Sequence, residues 1–563
     1  MSLNASLNIG RTGLLSSQSA LQTVGNNLAN AATPGYHRQR VDLAPLAGQR
    51  GADGAFLGRG VQIESITRMI DQALEGRLRN AGSDLAGSEA YKDLLGQIEA
   101  IHNEFADTNL TTHLDALFDN FSALANNPES AGERMQLVEH ARTLTSFLQD
   151  QRARLGQLQQ QVDASANHAV EQVNALLDDI AHMNASIATG EAGSGENGSL
   201  RDRRDVRLTE LAQLIDISTN EQDNGQIDIH VGSTPLVLGS RSRGLQLITE
   251  PGELPRLGMG EDNAPLDAAA GKLVTTMRFR QEDLQQAIDH LDTLAHELIW
   301  QVNRLHSQGQ PLELPGQITG GYAVADADAA LNSLDAELDF APGHGSFKVH
   351  LTAAGSDQRA TSTIGIDLDP SSATPTTMND LVAALDGVAN LTAELTTGNR
   401  LRLTAADGQV ISFSEDSSGV LAALGVNTFF TGSTASDIAV DANIRANPSR
   451  IAASAAHQPG DNTNAHALAG LRNQSIDALG GQSLVGYWHR HVEDFATRLG
   501  GAREQAEADS LVRDNLQSRQ QAVSGVNPDE EAIDLLRHQR GFQASARFLT
   551  AVDEMMQTIL NML

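Results

Sequence analysis

The sequence predicts a mainly α-helical protein carrying an inserted β-rich domain. Its terminal helices pair as a coiled-coil-like layer, a helical bundle forms a middle layer, and the insertion forms an outer domain. Three observations predict this. Leu7, Leu14, Leu21 and Leu28 recur every seven residues at one end, and Leu535, Phe542, Leu549, Met556 and Leu563 do so at the other. Long apolar series at helical spacing fill much of the interior. Residues 312–440 abandon that spacing for Thr, Ser, Gly and Asp with short strand-like runs.

In the first helix Leu3, Val24 and Ala31 take the intervening seam positions, which Gly10 and Ser17 weaken. It stops before Pro34-Gly35, because proline disfavours helical backbone at Thr33 and glycine supplies a turn. Residues 88–124 read as helix. From Leu137 an apolar series runs through Leu144, Leu155 and Val173 to Ile187, adjusting its register near Val162. Ile227, Ile229 and Val231, then Leu236 to Leu238, read as short strands around Gly232 and Pro235, within 225–250. Leu284, Ile288, Leu291, Ala295, Leu298, Val302 and Leu305 mark another rod-like helix.

Within the insertion, strand-like runs fall at 347–351, 364–368, 401–404 and 410–413, with a short helix at 378–386. Ala406-Asp407-Gly408 reads as a hairpin turn joining the last two strands. Helix returns from about 466 to 521. Pro528 followed by Asp529, Glu530 and Glu531 then opens the last helix, since proline fits a first turn and acids oppose the dipole. At about 1.5 Å per residue each terminal helix spans roughly 40–50 Å. The predicted layers are residues 1–36 with 525–563, residues 37–311 with 441–524, and residues 312–440.

Composition narrows the function. The 563 residues exceed one ordinary core, so two to four domains are expected. Only 4% are aromatic, so aliphatic side chains must build the core. A net charge of −32 repels phosphates and anionic lipid, which argues against nucleic-acid and membrane partners. Without cysteine there is no disulfide framework, thiolate zinc site or Cys nucleophile. No apolar run is long enough to span a membrane, and Met1 to Gly10 lacks the basic and apolar regions of a cleaved leader.

Candidate chemical motifs are weak. Gly193-Ser-Gly195-Glu-Asn-Gly198 fits GxGxxG but follows a helix instead of a strand, so it reads as a flexible loop. His489 and His491 beside Trp488 have no third ligand at useful spacing and read as a polar helix surface. Asp326/Asp328 and Asp367/Asp369 lack the loop of a calcium site. No serine lies in a nucleophile elbow. We expect no catalytic, cofactor or metal residues.

The ends are more informative. Residues 12–36 carry no charged side chain, and Gln18, Gln22, Asn26 and Asn30 form an amide stripe at spacing four. Amides are less costly to bury than charges when partners exist, so this face is expected to be buried by neighbouring subunits. Gly10, Gly13 and Gly25 each lower helicity by roughly 1 kcal/mol. Both ends are therefore expected to be unfolded in the free chain and to fold on assembly. The expected assembly residues are the two heptad series with Asn26 and Asn30.

Asn26-Asn27-Leu28-Ala29-Asn30 followed by Thr33-Pro34-Gly35-Tyr36 resembles the N-terminal signature of bacterial flagellar rod, hook and hook-associated proteins. Ser524-Gly525-Val526-Asn527-Pro528-Asp529-Glu530-Glu531 and Gln543-Ala544-Ser545-Ala546 resemble the C-terminal signature of the hook-associated protein 1 family. Residues 200–205 with 220–225, and 447–454 with 460–465, resemble that family's interior passages and not those of rod or hook proteins. The common pattern has a non-glycine residue where this chain has Gly541.

The resemblance implies a non-enzymatic adaptor: a ring of subunits at the distal end of the hook, beneath a second hook-associated junction protein and the filament. It also implies type III flagellar export with an uncleaved signal, extracellular residence, and a cytoplasmic chaperone on the C-terminal segment. Alternative readings are a hook or rod subunit, or a surface adhesin or enzyme carried by the insertion.

Overall fold

The computed structural model describes residues 3–50, 56–104, 106–193, 195–248, 255–260, 264–353, 358–456, 458 and 460–562. The chain forms two compact units. One comprises Met1–Leu94, Gln161–Gln281 and Gly500–Leu563; the other comprises Leu95–Gln160 and Glu282–Leu499. Long helices at both ends, a helical body and small sheets match the expected mixture of helix and inserted β structure.

In the first unit the N-terminal helix Leu3–Ala29 lies against the C-terminal helix Pro528–Met562. Gly10 faces Leu549, Gly13 faces Ser545, Ser17 faces Gly541, and Asn27 bonds Glu531, so the helices run antiparallel. An antiparallel hairpin of Gln39–Pro45 and Val61–Arg68 follows the first helix. This hairpin is absent from the expected elements, although Val41 and Leu43 alternate with charged neighbours, as Val61 and Ile63 alternate with Gln62 and Glu64.

The long helix Ala131–Glu191 buries the predicted Leu137, Leu144, Leu155, Val173 and Ile187. Its first-unit part anchors the neighbouring strands through side-chain amides. Asn174 accepts from the Leu245 N–H and donates to its carbonyl, and Asn184 does the same at Ile227. Each amide thus satisfies strand-edge groups that burial would otherwise leave unpaired. The strands 218–221, 227–231, 234–238 and 241–242 form an antiparallel sheet in that order, as the alternation around 225–250 predicts in outline.

In the second unit the expected helix over 88–124 is two helices, Gln72–His102 (whose early part belongs to the first unit) and Leu110–Asn126. The break follows from Asn103 at φ 47° and a capping box between Asn109 and Thr112. Asp283–Ser307 buries its predicted stripe except Leu305, which is half-buried. The β region holds two three-stranded antiparallel sheets, 317–319/401–405/391–395 and 359–366/345–353/409–414. Its core includes Phe347, Val349, Ile411, Phe413 and Leu381.

Two expectations need correction. Residues 401–405 and 409–414 do not pair as a hairpin. Gly408 at φ 77° lets the chain turn, but each strand joins a different sheet. The helix expected from 466 to 521 is interrupted: Thr463–Gly470 ends before Leu484–Ser524 begins, and Gly480 and Gly481 between them both take positive φ. The helix Met378–Asp386 lies where expected, opened by a reciprocal Thr377–Asp380 capping box. Replacing Thr377 with Ala should lower the second unit's unfolding free energy by about 1 kcal/mol, read by urea denaturation.

Candidate functional site

The terminal helices meet through small side chains. Gly10, Ser16, Ala20, Thr23, Val24 and Asn27 are buried along the first helix. A Cβ on Gly10 would lie 2.8 Å from Leu549 Cδ2, and one on Gly541 would lie 3.2 Å from Ser17 Oγ. Gly10 and Ser17, which weaken the heptad on paper, therefore permit the close approach. The same contact accounts for glycine at 541.

Of the predicted seam, Leu7, Leu14, Leu21, Leu535, Phe542, Leu549 and Met556 are half-buried, and Leu28 is exposed. Leu563 lies outside the described residues. Ile533, Leu536, Phe548, Met555, Ile559, Leu560 and Met562 are also exposed. Among the predicted amides, Gln18, Gln22 and Asn26 are exposed and Asn30 is half-buried.

A polar latch closes the pair at the end holding the signature motifs. Glu531 is 1% exposed; its Oε1 accepts from Arg38 Nε at 2.6 Å and its Oε2 from Asn27 Nδ2 at 3.0 Å. The Asn27 amide is used at both ends. Nδ2 also donates to the Gln39 carbonyl, and Oδ1 accepts from the Gln39 N–H and the Tyr36 hydroxyl. The Arg38 N–H donates to the carbonyl of buried Ser524, and its guanidinium reaches Glu530 and Asp534.

Asn26 donates to the Tyr36 hydroxyl, Asn30 to Asn26, and Thr33 to Asn30, which folds the Thr33-Pro34-Gly35-Tyr36 segment back. Gly35 has φ 74°, and a Cβ there would overlap Val206. Asn527 accepts from the Asp529 N–H at the start of the last helix. Ala29, Thr33, Pro34, Asp529 and Glu530 are exposed, and Gly525 and Val526 are half-buried.

Beside the latch, buried His37 bonds Asp202 through Nδ1 at 2.7 Å and lies 3.5 Å from Glu75. Arg68 reaches Glu196, Asp202 and Asp205 at 2.6 to 2.8 Å. Burial alone lowers the His37 pKa; its bonds to Asp202 and Glu75 outweigh that and raise it to about 9. Burial, with Asp202 and Glu531 nearby, lifts the Tyr36 phenol to about 12. His37, Asp202 and Asp205 are the described trio whose ligand atoms lie within 4.8 Å of one another, but Arg68 already ion-pairs with both carboxylates. These contacts describe a fastening, not a reaction centre.

Arg38, His37 and Arg68 are not among the residues expected from sequence. Arg38 lies two residues after Tyr36 of the N-terminal signature, and that position is the available signal. The other motifs have structural roles. Asn197 caps the helix Gly198–Leu214, while Ser194 of the glycine-rich stretch lies outside the described residues. Asp326 and Asp369 accept from backbone N–H groups two residues on. His489 is exposed, but Trp488 and His491 are buried, which corrects the polar-surface reading for those two.

Comparison with known proteins follows the same map. The family model "Flagella basal body rod protein" matches residues 7–37 and "Flagellar basal body rod FlgEFG protein C-terminal" matches 519–562. "Flagellar hook-associated protein FlgK helical domain" matches 95–322. Flagellar hook-associated protein 1 of Salmonella typhimurium (strain LT2) is 26% identical, over 99% of this chain and 100% of the relative. Its Escherichia coli (strain K12) counterpart is 24% identical over the same shares. That of Bacillus subtilis (strain 168) is 23% identical, over 99% and 97%. The solved structure of the flagellar hook junction protein FlgK from Burkholderia pseudomallei superposes with a TM-score of 0.53 at 16% identity, covering 80% of this chain and 100% of that one.

Paired ends fastened at signature residues, with rod-protein family models on both, define a structural subunit of the bacterial flagellum. The interior match and the full-length relatives are more specific. Along 99% of its length the chain is similar to flagellar hook-associated protein 1 of these bacteria.

A Cβ on Gly25 would meet nothing within 4 Å, whereas one on Gly10 would press on Leu549. Gly25→Ala should therefore stabilise the pair by up to about 1 kcal/mol, while Gly10→Val should loosen it, both read by protease resistance of the terminal helices. Because the His37 pKa is raised, its contribution is fully present below its unfolded pKa of about 6.5 and is lost as pH rises through about 9. Wild-type stability should fall by up to ~3 kcal/mol between pH 7 and 10 in urea titrations, and His37→Gln should flatten that dependence.

Proposed function

We propose that this protein is the adaptor forming the first junction ring between hook and filament, held by packing of its terminal helices. The observation that carries the reading is the apolar surface left open on those helices. Leu28, Met555, Ile559 and Met562 are exposed on a pair that is already closed on its inner side. Such a surface favours burial against neighbouring subunits. The predicted interface residues Leu7, Leu14, Leu21, Asn26, Asn30, Leu535, Phe542, Leu549 and Met556 then serve two contacts, the partner helix and the next subunit.

Its partners in this reading are further copies of itself, the hook protein and a second hook-associated junction protein. The ends travel unfolded through the flagellum-specific export route without a cleaved signal, and a cytoplasmic chaperone covers the C-terminal segment beforehand. The layers 1–36 with 525–563, 37–311 with 441–524, and 312–440 pass from assembly core to outer domain. The protein carries no catalysis. Asp326 and Asp369, the acidic candidates for a site in the insertion, are used in local turns, which supports a structural role for it.

Deleting the gene should leave hooks without filaments and flagellin shed into the medium, seen by electron microscopy; normal filaments would refute the junction role. Ile559→Asp should leave the isolated chain's stability within about 0.5 kcal/mol, since the residue is exposed there, yet abolish filament attachment. Unchanged swimming would count against an assembly face at this position.

A further inference from the structure

The second unit contains a cluster of histidines that the assembly reading does not use. His102 ends the helix Gln72–His102, His290 lies on Asp283–Ser307, and His491 lies on Leu484–Ser524. The His491 ring is 5.1 Å from His102 in an edge-on arrangement and 4.5 Å from His290 in a stack. Trp488 and Phe495 close the cluster, with ring centroids 5.1 Å and 5.6 Å from His102. His102 and His491 are each 3% exposed, and His290 is half-buried.

One nitrogen on each ring has no hydrogen-bond partner: His102 Nε2, His290 Nδ1 and His491 Nε2. The three do not bring ligand nitrogens to one point, since among the described residues such convergence within 4.8 Å occurs at His37, Asp202 and Asp205. A metal site is therefore not indicated. What remains is a cluster of packed imidazoles, each with one buried nitrogen left unpaired.

The surrounding charges do not make protonation easy. Arg498 opposes it at His290 and His491, while Asp289 and Asp494 favour it at half-buried His290. Glu104 is engaged by the Trp488 indole N–H at 3.0 Å, and Arg498 by Asp283 at 2.8 Å. The Tyr487 ring lies against His290 at 5.1 Å in a tilted arrangement. Burial first, and then the neighbouring imidazoles, hold His102 and His491 well below the ordinary histidine range. A proton on any ring would be poorly solvated and would repel the next ring about 5 Å away.

We propose that His102, His290 and His491 form an acid-sensitive latch that holds these three helices together while all the rings are neutral and releases them when the rings protonate. The sign follows from linkage. Groups depressed in the folded state contribute stability that is fully present above about pH 6.5 and is lost as pH falls below it. This is opposite to His37, so acid should open the second unit while leaving the first unit's histidine contact in its favoured form.

The test follows Trp488 in the full chain carrying Trp300→Phe, which leaves Trp488 as its single tryptophan. On acidification from pH 8 to 4, its emission should shift to the red with a midpoint below 6, before far-UV helicity falls. A midpoint at the ordinary histidine value, or no shift until helicity is lost, would overturn the proposal. As a second arm, His491→Phe removes one titrating ring while keeping an aromatic filler. It should reduce the change in the unfolding constant between pH 7.5 and 5 by about 30-fold relative to wild type. Identical pH dependence would overturn the proposal. Should that variant fail to fold, the tryptophan titration decides alone.

Discussion

A single buried carboxylate ties the two ends of the chain together. Glu531 would be costly to bury unpaired, yet it sits 1% exposed because Arg38 supplies the opposing charge and Asn27 the second donor. Removing either partner leaves the buried Glu531 carboxylate with one of its two bonds unmade, so Asn27, Arg38 and Glu531 work as a unit. Asn27 also binds Gln39 and Tyr36, which commits the chain leaving the first helix to one path. That path places His37 against Asp202, and the Arg38 N–H against Ser524 at the end of the penultimate helix. The register of the terminal helices and the exit of the chain are thus fixed at one place.

Above the latch, shape replaces charge. Gly10, Gly13 and Gly541 let the helices approach where a Cβ would intrude, and the intrinsic helicity lost at Gly10 and Gly13 is offset by contact with Leu549 and Ser545. Small residues on the inner side leave larger apolar groups, Leu28 and Ile559 among them, exposed. A pair built this way is closed on itself yet retains an apolar surface, as a subunit of a multi-chain axial structure requires.

Much of this is legible in the sequence. Heptads mark the terminal helices, spacing of four and three marks Asp283–Ser307, and the short helix expected at 378–386 is Met378–Asp386. Turn chemistry is less informative. Gly408 announces a turn, but glycine conformation says nothing about which sheet the next strand joins. The candidate site is visible as motifs without its mechanics. Asn27, Tyr36 and Glu531 stand out by resemblance, but Asn27 and Glu531 are separated by 504 positions, and no local period links them. Gly10 and Ser17 look like defects in a seam because their value lies in the partner helix. The histidine cluster is hidden for the same reason: His491 finds its neighbours on helices far away in the chain.

The most direct test of the fastened antiparallel pair is disulfide trapping in a chain that has no cysteine of its own. Ser17→Cys with Gly541→Cys places the two residues where a Cβ at 541 lies 3.2 Å from the Ser17 side chain. Ser17→Cys with Arg537→Cys displaces the pair by about one helical turn. In flagella sheared from cells, the first pair should form an intrachain disulfide readily and the second should not, and Glu531→Ala should narrow that difference. Equal yields from both pairs, or cross-links formed only between chains, would contradict the account.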